Sequence, residues 1–268
     1  MQSIKTIYKI GPGPSSSHTF GPMMASKYIN EQYPEATNFK ITLFGSLALT
    51  GKGHLTDKII LKTLGTSKCE IIFDMKTPVE HPNTMIIEVF DKDTKIAKHT
   101  FVSIGGGKIE IDGKKGNVDP EIYPHTKMDD IQVYCNERHL RLDQYIDEVE
   151  DSDFDSYMNQ IFKQMLKTVN TGLKKTGVLP GSLKIDRVAH ALHQSAQSCS
   201  DIQDKNSLLL SSYAYAANEQ NASGGIVVTA PTMGSCGVLP SLVYHFYHDQ
   251  KYPKKTIIQG LKVAGLIG

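Results

Sequence analysis

A run of hydroxyl side chains and one imidazole lies near the start of the chain. Residues 11–22 read Gly-Pro-Gly-Pro-Ser-Ser-Ser-His-Thr-Phe-Gly-Pro, so prolines and glycines restrict the backbone around the hydroxyls. A helix is predicted to begin at Pro22, and its free N–H groups would favour a carboxylate beside those hydroxyls. A serine-rich turn that caps the helix is the alternative, but a cap needs only one such side chain. The pattern therefore favours a small-molecule site.

A second loop, residues 45–54, combines three glycines with a histidine. It reads Gly-Ser-Leu-Ala-Leu-Thr-Gly-Lys-Gly-His and lies between a predicted strand and a predicted helix. It is not a phosphate-binding P-loop, because Lys52 is not followed by Ser or Thr. His54 alone is readily explained as a surface histidine. Paired with His18 in one domain it becomes a general-base candidate, since imidazole titrates near neutral pH.

The segment around Cys236 is the third candidate for chemistry. Residues 218–240 pass from a polar turn through a β-branched run into a small-residue loop at the predicted start of a helix. A helix N-terminus favours thiolate, the form that attacks carbon or binds metal. A small buried cysteine under the turn is the alternative. The other cysteines are widely separated and are interpreted as buried thiols: Cys69, Cys135 and Cys199.

Two groups of elements are predicted to position these residues. In the first half, alternating apolar patterns predict an antiparallel sheet with strands at 39–43, 70–75, 85–90 and 96–104. Two helices would cover this sheet, at 22–31 and at 56–64, the second closed by Gly65.

The second half is predicted to be helical. An acidic stretch at 147–153 predicts a domain boundary near residue 150. Apolar residues at three- and four-residue spacing predict helices at 154–173, 185–197, 207–217, 238–247 and 256–268. The predicted fold is an α+β N-terminal domain, residues 1–150, followed by an all-α domain, residues 151–268.

Length and charge restrict the class of protein. The 268 residues, 40% of them hydrophobic, are sufficient for two cores. With 29 Lys and Arg against 28 Asp and Glu, no global field favours nucleic acid or an anionic membrane as a partner. Neither a signal peptide nor a bilayer-spanning run is recognisable. These features predict a cytoplasmic protein with a small neutral or zwitterionic substrate.

Five motifs resemble a known family. GPGPSSSHTFGPM, LFGSLALTGKGH, HPNTM and SIGGG resemble the β domain of bacterial iron-sulfur L-serine dehydratases. NEQNASGGIVVTAPTMGSCGVLP resembles their cluster-binding α domain, and the motifs occur in family order between residues 8 and 240. HPN and SIGGG are weak signals alone, because such sequences are as often tight turns or bulges.

The resemblance implies an enzyme that converts L-serine to pyruvate and ammonia with a [4Fe-4S] cluster and without pyridoxal phosphate. One iron without a cysteine ligand would act as a Lewis acid on the substrate hydroxyl. His54 and His18 would be the acid-base pair, with His54 favoured as the base that removes the α-proton. Cys236 would be a cluster ligand. The implied substrate ligands are Ser15, Ser16, Ser17, Thr19, Lys52 and Asn221.

Several alternatives stay open. Family members supply two further cluster cysteines downstream, so the resemblance implies that the remaining ligands lie beyond residue 268 and that the chain is truncated. A non-catalytic serine-binding module is a second candidate, since the β domain also resembles substrate-sensing domains of some serine-pathway dehydrogenases. A pyridoxal-phosphate lyase, or a Cys236 nucleophile with a histidine, is less favoured. Threonine as substrate and the oligomeric state, with a homodimer as one candidate, are undecided.

Overall fold

A computed structural model of the chain describes residues 1–116, 119–181 and 183–268. The chain divides into two compact units. We call Pro12–Val118 the sheet unit, and Met1–Gly11 together with Asp119–Gly268 the helical unit. This division differs from the boundary predicted near residue 150.

The elements are numbered in chain order. The strands are β1 (Ile10–Pro12), β2 (Asn38–Phe44), β3 (Cys69–Asp74), β4 (Thr84–Asp91), β5 (Thr94–Gly105), β6 (Lys108–Ile111), β7 (Lys114–Lys115) and β8 (Ile226–Val228). The α-helices are α1 (Gly21–Gln32), α2 (Gly45–Thr50), α3 (Thr56–Leu64), α4 (Met128–Arg138), α5 (Leu142–Val149), α6 (Phe154–Leu173), α7 (Ala189–Ser198), α8 (Ile202–Ala222), α9 (Val238–His248) and α10 (Lys254–Ile267). A π-helical turn, Ser16–Phe20, leads directly into α1.

The sheet unit has one sheet with strand order β3-β2-β4-β5-β6-β7. The β2–β3 pair is parallel and the other neighbouring pairs are antiparallel. Alternate residues of the central strands, such as Ile41 in β2 and Ile87 in β4, are fully buried in one core with Ile29 of α1 and Ile60 of α3. The predicted α+β fold of this part is confirmed, with one parallel pair added.

The helical unit is arranged around α6. Met158, Ile161, Met165 and Val169 follow helical spacing and are all fully buried. The predicted all-α architecture is confirmed. The division of the chain does not fall near residue 150 because α5 packs into this unit, where Ile146 shares a core cluster with Met158.

The first residues of the chain also belong to the helical unit. Strand β1 pairs with β8 in a two-stranded sheet. The Tyr8 hydroxyl donates to the Leu261 carbonyl at 2.8 Å, and the Lys9 N–H donates to Thr229 Oγ1 at 2.9 Å. Across the described ranges, no helix is long and apolar enough to cross a membrane.

Candidate functional site

His18 and His54 lie side by side in the sheet unit. Their ring centroids are 4.6 Å apart and the ring planes are inclined by 37°. Two hydrogen bonds join the segments that carry them. Thr19 Oγ1 donates to the His54 carbonyl at 2.7 Å, and Thr56 Oγ1 donates to the His18 carbonyl at 2.5 Å. The hydroxyl-rich loop and the glycine-rich loop of the sequence analysis are therefore in contact in the sheet unit.

His18 is held by hydroxyls on both ring nitrogens. Its Nε2 is 2.9 Å from Ser46 Oγ, and its Nδ1 is 3.5 Å from Ser15 Oγ. Burial lowers the pKa of His18 and the adjacent His54 lowers it further, while a hydrogen bond with the backbone of Ser46 opposes both effects. These surroundings therefore favour the neutral form of the His18 ring.

His54 has a different environment. Its Nδ1 is 3.1 Å from the Thr50 carbonyl. Because a carbonyl oxygen can only accept, this nitrogen must carry the hydrogen, and in the neutral ring the lone pair is then on Nε2. No hydrogen bond to Nε2 is made within the described parts of the chain. This nitrogen is available to take a proton.

The hydroxyl-rich segment is partly occupied by its own backbone. Ser15 Oγ accepts from the His18 N–H at 3.1 Å, and the Ser15 carbonyl accepts from the N–H groups of Thr19 and Phe20, each at 3.0 Å. The π-helical turn extends α1 backwards, so the free N–H groups expected at Pro22 are preceded by another turn of helix. Ser15 is a helix cap, as the simpler interpretation of the sequence expects.

Thr19 is buried, and its hydroxyl is used within the protein. It accepts from the Ser15 N–H at 3.2 Å and donates to the His54 carbonyl. Its observed contacts therefore join two loops. Ser16 and Ser17 are half-buried and follow Ser15 directly.

The two weak motifs of the sequence support these loops. The Pro82 carbonyl accepts from the Ser46 N–H at 2.7 Å. The carbonyl of Asn83 accepts from the Ser103 N–H at 3.0 Å. Ser103 in turn packs against Gly21, where an added Cβ would lie 2.0 Å from Ser103 Oγ. The sequence did not single out Ser46 as a site residue, although it lies inside the glycine-rich loop that was singled out.

Lys52 and Asn221 have contacts of a different kind. Lys52 is exposed, and its Nζ lies over the Phe73 ring of β3, 5.3 Å from the centroid. Asn221 belongs to the helical unit, where its Nδ2 donates to the Met233 carbonyl at 3.1 Å. Asn221 therefore helps to hold the loop that precedes Cys236.

Cys236 is a fully buried thiol just before α9. Its Sγ donates to Asn218 Oδ1 at 3.6 Å, and burial raises the pKa of the thiol to about 12. Desolvation of the charged form acts against the thiolate that a helix N-terminus favours.

A buried ion pair lies beside the Cys236 segment in sequence. Glu219 Oε1 accepts from the N–H groups of Val188 and Ala189, at 2.6 and 3.0 Å, and so caps the start of α7. Its Oε2 is 3.7 Å from Arg187 Nη1, and both side chains are less than a tenth exposed, at 4% and 7%. The Asn-Glu-Gln-Asn motif thus contributes structural contacts in addition to any ligand role.

Comparison with known proteins identifies the family. A model described as serine dehydratase beta chain matches residues 3–72, and one described as serine dehydratase alpha chain matches residues 50–268. The chain belongs to the serine dehydratase family. The resemblance found in the sequence motifs is therefore confirmed.

Curated members of the serine dehydratase family align over almost the entire chain. The L-serine dehydratase of Haemophilus influenzae is 29% identical over 324 residues, which cover 100% of this chain and 71% of that protein. L-serine dehydratase 2 of Escherichia coli K12 is 32% identical, with 100% and 71% covered, and the L-serine dehydratase of Helicobacter pylori 26695 is 32% identical, with 99% and 70% covered. Because these alignments are longer than 268 residues, the relatives contain stretches without a counterpart here.

Proposed function

We propose that this protein is an L-serine dehydratase, which converts L-serine to pyruvate and ammonia. The observation that carries the proposal is the His18–His54 pair, bordered by serine hydroxyls and built from motifs of the serine dehydratase family. The names of the curated relatives support serine as the substrate. We also propose that the protein is cytoplasmic and that it forms homodimers.

We propose that His54 is the base that removes the α-proton of serine. Its Nδ1 hydrogen is held by the Thr50 carbonyl, so the neutral ring offers the Nε2 lone pair to the substrate. The proton leaves Cα for Nε2, the electron pair of that C–H bond forms the Cα–Cβ double bond, and the β-hydroxyl leaves as hydroxide, which takes a proton from solvent to become water. The resulting aminoacrylate gains a proton at Cβ and loses one from nitrogen to become the imine, which water hydrolyses to pyruvate and ammonia.

The remaining site residues have proposed roles in binding. Ser15, Ser16 and Ser17 would hold the carboxylate and ammonium groups of serine, with Lys52 and Asn221 as further candidates. For Thr19 the geometry supports an indirect role, because its hydroxyl donates to the His54 carbonyl.

The [4Fe-4S] cluster implied by the family resemblance remains part of the proposal, with Cys236 as a ligand. Such a cluster needs at least three converging cysteine thiolates when one iron is left open for substrate. Among the described residues, no group of three His, Cys, Asp or Glu side chains is placed to hold a metal. The described residues do not fit the cluster by themselves.

Serine binding at the histidine pair tests the proposal directly. The chain would be labelled with nitrogen-15 and titrated with L-serine while the imidazole resonances are followed by NMR. We expect saturable shifts for His18 and His54, and weaker binding in His54→Ala. His139→Ala, which changes a histidine at the end of α4 in the helical unit, is the matched control and should bind as the wild type does. Absence of binding, or binding that leaves both imidazoles unchanged, would contradict the proposed site.

A further inference from the structure

One short helix, α2, contacts both histidines of the site. Ser46 Oγ is 2.9 Å from His18 Nε2, and four residues later the Thr50 carbonyl is 3.1 Å from His54 Nδ1. The Thr50 hydroxyl donates to the Ser46 carbonyl at 2.9 Å and so joins the two contact points. A single helical turn therefore sets the positions of both rings.

The two contacts differ in what they permit. A carbonyl oxygen only accepts, so Thr50 fixes the hydrogen of His54 on Nδ1. A hydroxyl both donates and accepts, so Ser46 can hydrogen-bond His18 in either protonation state. It donates to Nε2 of the neutral ring and accepts from Nε2–H of the imidazolium.

The Ser46 hydroxyl has no competing partner within the part of the chain that the structure describes. It does not cap α2, which has no side-chain cap, and its contact is with His18. The backbone is also fixed, because the Ser46 N–H donates to the Pro82 carbonyl at 2.7 Å. Gly45 has a φ of +49°, and an added Cβ would lie 2.7 Å from that carbonyl oxygen. The His81-Pro82-Asn83 motif thus places Ser46 against His18.

The Ser46–His18 hydrogen bond would matter when His18 and His54 share a proton. Two imidazolium rings with centroids 4.6 Å apart repel each other, so the pair favours a single added proton. Among the described residues, His54 is the titratable neighbour that acts on His18 electrostatically. A proton that reaches His18 Nε2, from His54 or from water, forms one N–H bond there while the Ser46 hydroxyl rotates from donor to acceptor.

We propose that Ser46 is a positioning residue of the reaction, holding the His18 ring in place while that ring gains and loses a proton. This inference rests on the proposed function, because it assumes that the histidine pair transfers protons during turnover. In this proposal the His81-Pro82-Asn83 motif positions Ser46 through the Pro82 carbonyl.

The test is the titration of His18 in the full chain, followed by nitrogen-15 NMR of the imidazole. Ser46→Ala removes the hydroxyl contact to Nε2, so we expect the Nε2 chemical shift of His18 to change and its titration to differ from that of the wild type. Ser46→Cys, which nearly keeps the volume, should change both in the same way. Ser46→Thr, which keeps the hydroxyl, should restore the wild-type titration.

Ser67→Ala is the matched control, since Ser67 is an exposed serine of the same unit, and its His18 titration should equal that of the wild type. An unchanged His18 titration in both Ser46→Ala and Ser46→Cys, each shown to be folded by circular dichroism, would overturn the role of Ser46. Failure of the wild type to bind L-serine would instead overturn the proposed function, so the two failures are distinguishable.

Discussion

The histidine pair and the cysteine loop carry motifs of the same family, but they differ in how much of a site each supplies. His18 and His54 find their hydrogen-bond partners, Ser15, Ser46 and Thr50, inside the sheet unit. Cys236 is a single buried thiol whose partner is Asn218, with no set of three metal-ligating side chains among the described residues. The proposed acid-base pair is thus complete within one compact unit, whereas the proposed cluster needs more ligands than Cys236.

The largest expected effect concerns the cluster. A [4Fe-4S] cluster needs at least three converging cysteine thiolates. After anaerobic reconstitution with iron and sulfide, we therefore expect the 268-residue chain to retain less than about a tenth of a stoichiometric cluster. For the same reason, pyruvate should form from L-serine only when further cluster ligands are supplied. Iron and sulfide content, visible absorbance and a pyruvate assay would measure this. A stoichiometric cluster on the chain alone would contradict the inference that the Cys236 loop lacks the further ligands a cluster needs.

A second prediction concerns the framework next to the cysteine loop. Glu219→Ala leaves the Arg187 guanidinium buried without its carboxylate and uncaps α7. We expect the free energy of unfolding to fall by about 3–5 kcal/mol. Urea denaturation followed by circular dichroism would measure the change. Glu137→Ala, at an exposed position of the same unit, should stay within about 0.5 kcal/mol of wild type. Equal effects of the two substitutions would mean that the ion pair does not hold this region.

The smallest expected effect is the pH dependence of the histidine region. His18 has a lowered pKa in the folded state, so the unfolded chain binds the proton at higher pH. Folded-state stability should therefore decline as the pH falls from about 6.5 towards the lowered pKa. His18→Asn, which cannot titrate, should lose less stability than wild type between about pH 7 and about pH 5. Urea denaturation across that range is the measurement, and parallel curves for the two proteins would be inconsistent with a lowered pKa of His18 in the folded state.

Local patterns predicted the elements whose apolar spacing is strong. The predicted limits of the helices at 154–173 and 56–64 coincide with α6 and α3, including the end at Gly65. Helix α4 was not predicted, because among its eleven residues only Ile131 and Cys135 are buried and the apolar period is faint. The sequence predicts a loop where helix α2 lies, because the six residues of α2 begin with one glycine and are followed by another.

The contacts that build the site are not local, and sequence patterns cannot supply them. That the histidines could pair was inferred from their types, but the bond from Ser46 to His18 joins separate loops. The support that Pro82 gives to Ser46 depends on how the strands are arranged. The burial of the Cys236 thiol, which raises its pKa, depends on tertiary packing that a sequence motif near a helix start does not reveal.

The inserted position of the sheet unit has a consequence for the order of folding during synthesis. Residues 1–11 are synthesised before the sheet unit, yet Lys9 and Tyr8 bond to Thr229 and Leu261, which are synthesised after it. The ribosome adds about 5–20 residues per second, so roughly ten seconds separate completion of the sheet unit from the emergence of Leu261. The sheet unit, whose core lies within residues 12–118, can fold in that interval. Strand β1 therefore stays unpaired until β8 has been synthesised.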